Sequence, residues 1–136
     1  MGRIMALDYG LKRTGIAWTD PLQIIATGLG SVDTAFLKEE VGNKIKEGEV
    51  EELVLGFPTR LDGADTHATQ AVRDFHEWLN NSFPSLRVTL WDERFTSKMA
   101  HQSMLDAGLS KKKRRDKHLV NQVSATIILQ EFLTGR

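Results

Sequence analysis

At two places in the chain, acidic residues stand where chemistry would be placed. Asp8 closes the apolar run Ile4, Met5, Ala6 and Leu7, and Asp92 and Glu93 close the run from Arg87 to Trp91. An apolar run that ends in an acid reads as a buried strand delivering a carboxylate to its mouth. A charge there is costly unless something positive meets it. A divalent cation could do so, or the nearby Lys12 and Arg13. Carboxylate oxygens from separate strands suit Mg²⁺ or Mn²⁺. Glu93 taken alone reads as readily as half of a surface ion pair. The run Lys111-Lys112-Lys113-Arg114-Arg115 has two readings, a solvated loop or a phosphate-binding element acting through counterion release. No aromatic residue is interleaved there, so base stacking is not indicated at that run.

These groups need elements to hold them. Residues 3–18 read as a buried strand, a tight turn between Gly10 and Gly15, and a returning strand through Ile16, Ala17 and Trp18. A third strand over Gln23 to Val32 completes an antiparallel meander, with Gly28 and Gly30 where the chain bends or meets another backbone. Leu37, Val41 and Ile45 step by four, which predicts a helix from about Ala35 to Glu47 that stops at Gly48. Leu53 to Leu55 form a short buried strand ending in Gly56-Phe57-Pro58. Thr66 to Asn80 is an amphipathic helix with Ala68, Ala71, Val72, Phe75, Trp78 and Leu79 on one stripe. After the strand Arg87 to Trp91, Thr96 or Ser97 can cap a helix running to Ala107, with Gly108 at its C-terminal end. The last helix, Leu119 to Leu133, is apolar on most sides and is expected to pack deep against the sheet. The order β-β-β-α-β-α-β-α-α predicts a mixed α/β sheet with helices on both faces. In such sheets functional groups gather at the carboxyl ends of the parallel strands. That rule puts Asp8, the Gly56 segment, and Asp92 with Glu93 on one rim.

Composition narrows the class. At 136 residues with 40% hydrophobic content, the chain reads as a single domain over 1–136. Lys and Arg together equal Asp and Glu at 18 each, so attraction for a polyanion must come from local clusters. Cysteine is absent, which excludes disulfides and thiolate metal sites and suits a reducing cytoplasm. No pair of the four histidines has metal-ligand spacing. No apolar stretch has signal-peptide or transmembrane character, so a soluble cytoplasmic protein without a membrane partner is expected.

The string Asp8-Tyr9-Gly10-Leu11-Lys12-Arg13-Thr14-Gly15-Ile16-Ala17 resembles the first motif of the YqgF/RuvX family, the Holliday junction resolvases and pre-16S rRNA processing nucleases with an RNase H-like fold. Gly56-Phe57-Pro58, Glu93-Arg94-Phe95-Thr96 and Ala125-Thr126-Ile127-Ile128-Leu129-Gln130 are similar to its later motifs, so the likeness runs along essentially the whole chain. The resemblance implies an RNase H-like mixed five-stranded sheet with helices on both faces. It also implies catalytic, metal-binding carboxylates at Asp8 and Glu93, with Mg²⁺ or Mn²⁺ as cofactor. One position departs. The family has an Ile/Val-Asp pair near the start of the last helix, and here the pair is Val120-Asn121. An asparagine oxygen can ligate a cation but brings no charge, so Asn121 would complete the set weakly. Asp116 reads as the N-cap of that helix rather than as a substitute ligand. His118, one turn before Asn121, could touch the same site.

The reading that follows is a metal-dependent endonuclease on structured nucleic acid, either branched DNA or precursor rRNA. Lys12, Arg13, Arg94 and Lys111 to Arg115 would hold phosphates, and a two-fold junction would favour a homodimer. The rival reading is a nucleic-acid-binding module whose chemistry is weakened or lost through Asn121. A sugar-kinase or actin-like ATPase shares the Asp-x-Gly-x₄-Gly pattern, but would need a second domain and a second phosphate loop.

Overall fold

A computed structural model describes residues 2–57, 67–92, 102–114 and 116–136. The strands are β1 (Arg3–Asp8), β2 (Arg13–Thr19), β3 (Ala26–Asp33), β4 (Val50–Phe57) and β5 (Arg87–Asp92). The helices are α1 (Leu37–Lys46), preceded by a 3₁₀ turn at Thr34–Phe36, then α2 (His67–Ser82), α3 (helical at 102–106), α4 (Lys111–Arg114) and α5 (Lys117–Gly135). The sheet order is β3-β2-β1-β4-β5. β1 to β3 form the antiparallel meander, and β1, β4 and β5 run parallel. The expected five-stranded mixed sheet is therefore present.

Side-chain alternation along each strand divides the core in two. Met5, Leu7, Leu53 and Leu55 join Leu37 and Val41 of α1 and Val72, Phe75 and Leu79 of α2 on one face. Ile4, Ala6, Ala17 and Val54 join Ala125, Ile128 and Leu129 of α5 on the other. β1 and β4 are covered on both sides, which is why they read as continuous apolar runs rather than alternating ones.

α5 starts at the rim formed by the carboxyl ends of β1, β4 and β5 and finishes at the opposite end of the sheet, where the guanidinium of Arg136 donates to Gln23 Oε1 at 2.9 Å and to the Gln23 carbonyl at 3.1 Å. Along the way Glu131 accepts from Trp91 Nε1 at 3.1 Å, fastening the edge strand β5. The helix lies very close to β2 and β3. A Cβ added to Gly15 would come within 1.9 Å of the Asn121 carbonyl oxygen, and one added to Gly28 within 2.6 Å of the Gln122 side chain. Both glycines act as seats for α5 rather than as turn residues.

Three local expectations change. β2 begins at Arg13, not after Gly15, because Arg13 and Thr14 pair with Asp33 and Val32 of β3. β3 begins at Ala26, not Gln23. The Asp20 carboxylate accepts the backbone N–H groups of Leu22, Ile24 and Ile25 at 3.1, 2.8 and 2.7 Å, which curls these residues into a turn and leaves both isoleucines exposed. Those bonds, chiefly the one from Ile25, hold the Asp20 carboxyl below its ordinary range. The basic run is not a plain loop, since residues 111–114 are helical, preceded by Ser110, a residue type that favours the N-cap. The start of the helix predicted from Thr96 or Ser97 lies outside the described residues.

If the α5 seat is as close as the geometry indicates, Gly15→Ala must push the helix off the sheet. Overpacking of this kind costs about 1–3 kcal/mol. Gly135, with nothing within 4 Å of an added Cβ, is the control. Urea unfolding should show a lowered midpoint for Gly15→Ala and none of comparable size for Gly135→Ala. Equal midpoints would contradict the packing.

Candidate active site

The site is assembled by strand register. Asp8 is the Cα partner of Gly15 on β2 and of Gly56 on β4; Gly56 faces Trp91 on β5, and Phe57 faces Asp92. The carboxyl ends of β1, β4 and β5 are thus level, as expected for a rim. Asp8 continues the series Ile4, Ala6 and so looks toward α5. It is half-buried at the mouth of a strand whose preceding four residues are fully buried.

Asn121 is brought to the same place by α5. Its backbone rests on Gly15, and Gly15 is the register partner of Asp8. The juxtaposition of positions 8 and 121, which resemblance alone implied, therefore has a packing cause in this chain. Asn121 itself is half-buried.

The start of α5 explains the two neighbours. Asp116 is its N-cap, with an extended backbone (φ −69°, ψ 112°) and a carboxylate that accepts from the N–H groups of His118 at 2.9 Å and Leu119 at 3.4 Å. This is the capping role expected of it. His118 Nδ1 bonds Ser31 Oγ on β3. It ties the helix to the edge strand.

The β1–β2 turn is clamped by a residue that sequence reasoning passed over. The Thr34 backbone N–H donates to the Lys12 carbonyl at 2.9 Å, and its hydroxyl donates to the Gly10 carbonyl at 2.6 Å. The buried hydroxyl of Thr14 lies 3.0 Å from the Thr34 hydroxyl. No local pattern marks Thr34, because its partners are 20 to 24 residues away. The clamp fixes the turn that carries Lys12 and Arg13. Lys12 is exposed. Arg13 is half-buried, and its Nε is buried with no hydrogen-bond partner among the described residues.

Lys111 and Lys112 are exposed on α4, which also contains Lys113 and Arg114. α4 immediately precedes α5 in the chain, and α5 starts at the rim. Glu93, Arg94 and Arg115 lie outside the described residues, as do Pro58, Phe95 and Thr96. Among the described residues no three His, Cys, Asp or Glu side chains gather into a metal-binding group. Asp8 and Asn121 both offer hard oxygen donors, the type that Mg²⁺ and Mn²⁺ take.

A mixed five-stranded sheet in this order, with an acid at the end of its first strand and a long helix seated beside it, defines an RNase H-like fold. Among solved structures it is similar to Thermus thermophilus RuvC in complex with Holliday junction substrate, with TM-score 0.53 and 16% identity, covering 100% of this chain and 96% of that one. RuvC of the same organism solved on its own gives 0.52 and 14%, covering 98% and 95%. The family model described as RuvX, Holliday junction resolvase, matches residues 2–135, and the chain belongs to that family. A Porphyromonas gingivalis protein named "Putative pre-16S rRNA nuclease" is 49% identical over 133 residues, 98% of this chain and 96% of that protein. One of the same name from Flavobacterium johnsoniae is 44% identical over 136 residues, 100% and 99% of the two chains. These relationships place the chain among nucleases, hydrolases of phosphodiester bonds.

The two roles of the α5 terminus separate by substitution. Asp116→Ala removes a cap and should cost about 1 kcal/mol of stability. Cleavage rates below the unfolding transition should stay at the wild-type level. A large loss of cleavage with intact fold would make Asp116 a member of the reacting site instead of a cap.

Proposed function

We propose that this protein is a divalent-cation-dependent endonuclease that processes the precursor of 16S rRNA. The observation that carries the reading is the seating of the Asn121 backbone on Gly15, which brings position 121 beside Asp8 on the α5 face of the sheet. Asp8, Glu93 and the amide oxygen of Asn121 would hold Mg²⁺ or Mn²⁺. Glu93 follows Asp92, the last residue of β5, directly in the chain. When bound, such ions lower the pKa of an attacking water and stabilise the departing oxygen. The chain's own part is to position the backbone being cut. Lys12 and the cations at 111–115 attract phosphates, Arg94 adds a further charge, and the uncommitted Arg13 Nε offers a donor to a phosphate oxygen. Relatives 44% and 49% identical over nearly their whole length carry the pre-16S rRNA name, which favours precursor rRNA over branched DNA. The cytoplasm is the compartment this substrate requires. A preference for junction DNA would instead favour a homodimer.

Asn121 supports a second reading, a binding module with weakened chemistry. Comparing single-turnover cleavage of precursor rRNA and of junction DNA in Mg²⁺ decides between the readings and between the substrates. Asp8→Asn should lower the rate by roughly 100-fold or more while the protein stays folded. Cleavage at the wild-type rate in this variant would sink the enzymatic assignment.

The neutral amide sets a further expectation. Wild type should bind Mg²⁺ weakly and cleave slowly, and Asn121→Asp should tighten the ion by at least about tenfold, the 1.4 kcal/mol that one added charge readily supplies at a protein surface. The same change should lower the thermal midpoint without metal, because a third carboxylate joins two others, and Mg²⁺ should restore it. Identical midpoints and rates for both proteins would remove position 121 from the ligand set.

A further inference from the structure

On the opposite side of β1 from α5, just past the acidic rim, the structure holds a cleft of about 320 Å³ between α1, α2 and the residue that follows Asp8. Tyr9, Thr34, Lys38, Asp74 and Phe75 line it. That volume lies at the small end of ligand sites. Its apolar wall is formed by Ala35, Ala71 and the rings of Tyr9 and Phe75, whose centroids are 5.6 Å apart; Trp78 stacks behind Phe75 at 5.5 Å, outside the lining. The Lys38 ammonium is held 5.4 Å from the Trp78 ring centroid.

The polar groups of the cleft are not equivalent. The Thr34 hydroxyl is committed to Gly10. Asp74 Oδ1 accepts from Gln70 at 3.0 Å, and an ionised carboxylate has about four acceptor sites, so most of its capacity remains. The Tyr9 phenol lines the same cleft, and a phenol carries its proton at neutral pH and can donate it in a hydrogen bond. An acceptor-only carboxylate therefore shares the cleft with a phenol donor and a lysine. A phosphate would be repelled by Asp74. The edge of a nucleobase would not.

We infer that this cleft is a pocket for an unpaired guanine of the nucleic-acid substrate, read through its O6, N1–H and N2–H edge. The inference rests on the nucleic-acid reading proposed above. Guanine alone among the four bases sets one acceptor next to two adjacent donors. Asp74 would accept from N1–H and N2–H, and Tyr9 or Lys38 would donate to O6. Adenine and cytosine would turn a ring-nitrogen lone pair toward the carboxylate, and uracil a carbonyl oxygen. Each mismatch leaves a polar group unpaired, which is where base discrimination comes from. Proteins read single-stranded RNA by taking splayed bases into such sites. Tyr9 adjoins Asp8 in the chain, so the pocket would set which nucleotide lies next to the reacting phosphate.

The test is an NMR titration of the ¹⁵N-labelled protein with the dinucleotides GpU, ApU, CpU and UpU. GpU should shift the amides of Tyr9, Lys38 and Asp74 saturably, and bind at least about tenfold tighter than the other three. Asp74→Asn, which exchanges an acceptor for a donor, should abolish that preference in a protein whose remaining spectrum is unchanged. Equal binding of all four dinucleotides, GpU shifts located outside the cleft, or an undiminished preference in Asp74→Asn would overturn the inference. No cleavage is required, so failure here would leave the nuclease reading standing. Loss of that reading through Asp8→Asn would be seen separately in the cleavage assay.

Discussion

The close approach of α5 to β2 is the contact on which the rest of the site depends. A helix packed on a sheet through ordinary side chains stands well clear of the backbone beneath it. Here Gly15 has no side chain to intervene, and the Asn121 carbonyl occupies the space a Cβ would need. Gly28 makes the same allowance one strand further out, for Gln122. Since Gly15 is paired with Asp8, the helix can reach the seat only by bringing position 121 to the mouth of β1. The buried contacts of Ala125, Ile128 and Leu129 with Ile4, Ala6, Ala17 and Val54 then hold it there. Position 121 is placed by apolar packing, and this does not depend on whether an acid or an amide stands at it.

That independence bears on the chemistry. An Asp-to-Asn difference at 121 leaves the helix, its seat and its cap untouched, so a change in catalytic strength need not bring a change in fold. The amide also relieves the metal-free protein of one carboxylate near Asp8. Stability without the ion and affinity for it are opposed at this position. The clamp from Thr34 serves the other side of the site. It fixes a turn of cations through three hydrogen bonds, two of them to the turn's own carbonyls. The rim therefore has an acidic centre held by strands and helix, and a basic flank held by the meander.

Much of this was legible in the sequence. The apolar runs at residues 4–7 and 53–55 could only be buried strands, and their terminal acid and glycines marked the rim. The stripe through Val72, Phe75 and Leu79 located α2 and its buried face. Asp116 was readable as a cap because capping is local chemistry, settled within three residues. What escaped notice was long-range. Gly15 looked like punctuation of a turn, yet its reason lies 106 positions away at Asn121. Thr34 and the Ser31–His118 bond carry no local signature at all. Ile24 and Ile25 read as strand residues because their apolar character is local, whereas the Asp20 carboxylate that curls them out of the strand acts through the backbone, which composition does not report.

The central claim is that packing of α5 builds a cation site from Asp8 and position 121. Anomalous diffraction from crystals grown with Mn²⁺ tests it most directly. The account predicts a peak in contact with the Asp8 carboxylate and the Asn121 amide oxygen. A Mn²⁺ peak bound elsewhere on the molecule, with Asp8 and Asn121 free of it at saturating ion, would contradict it.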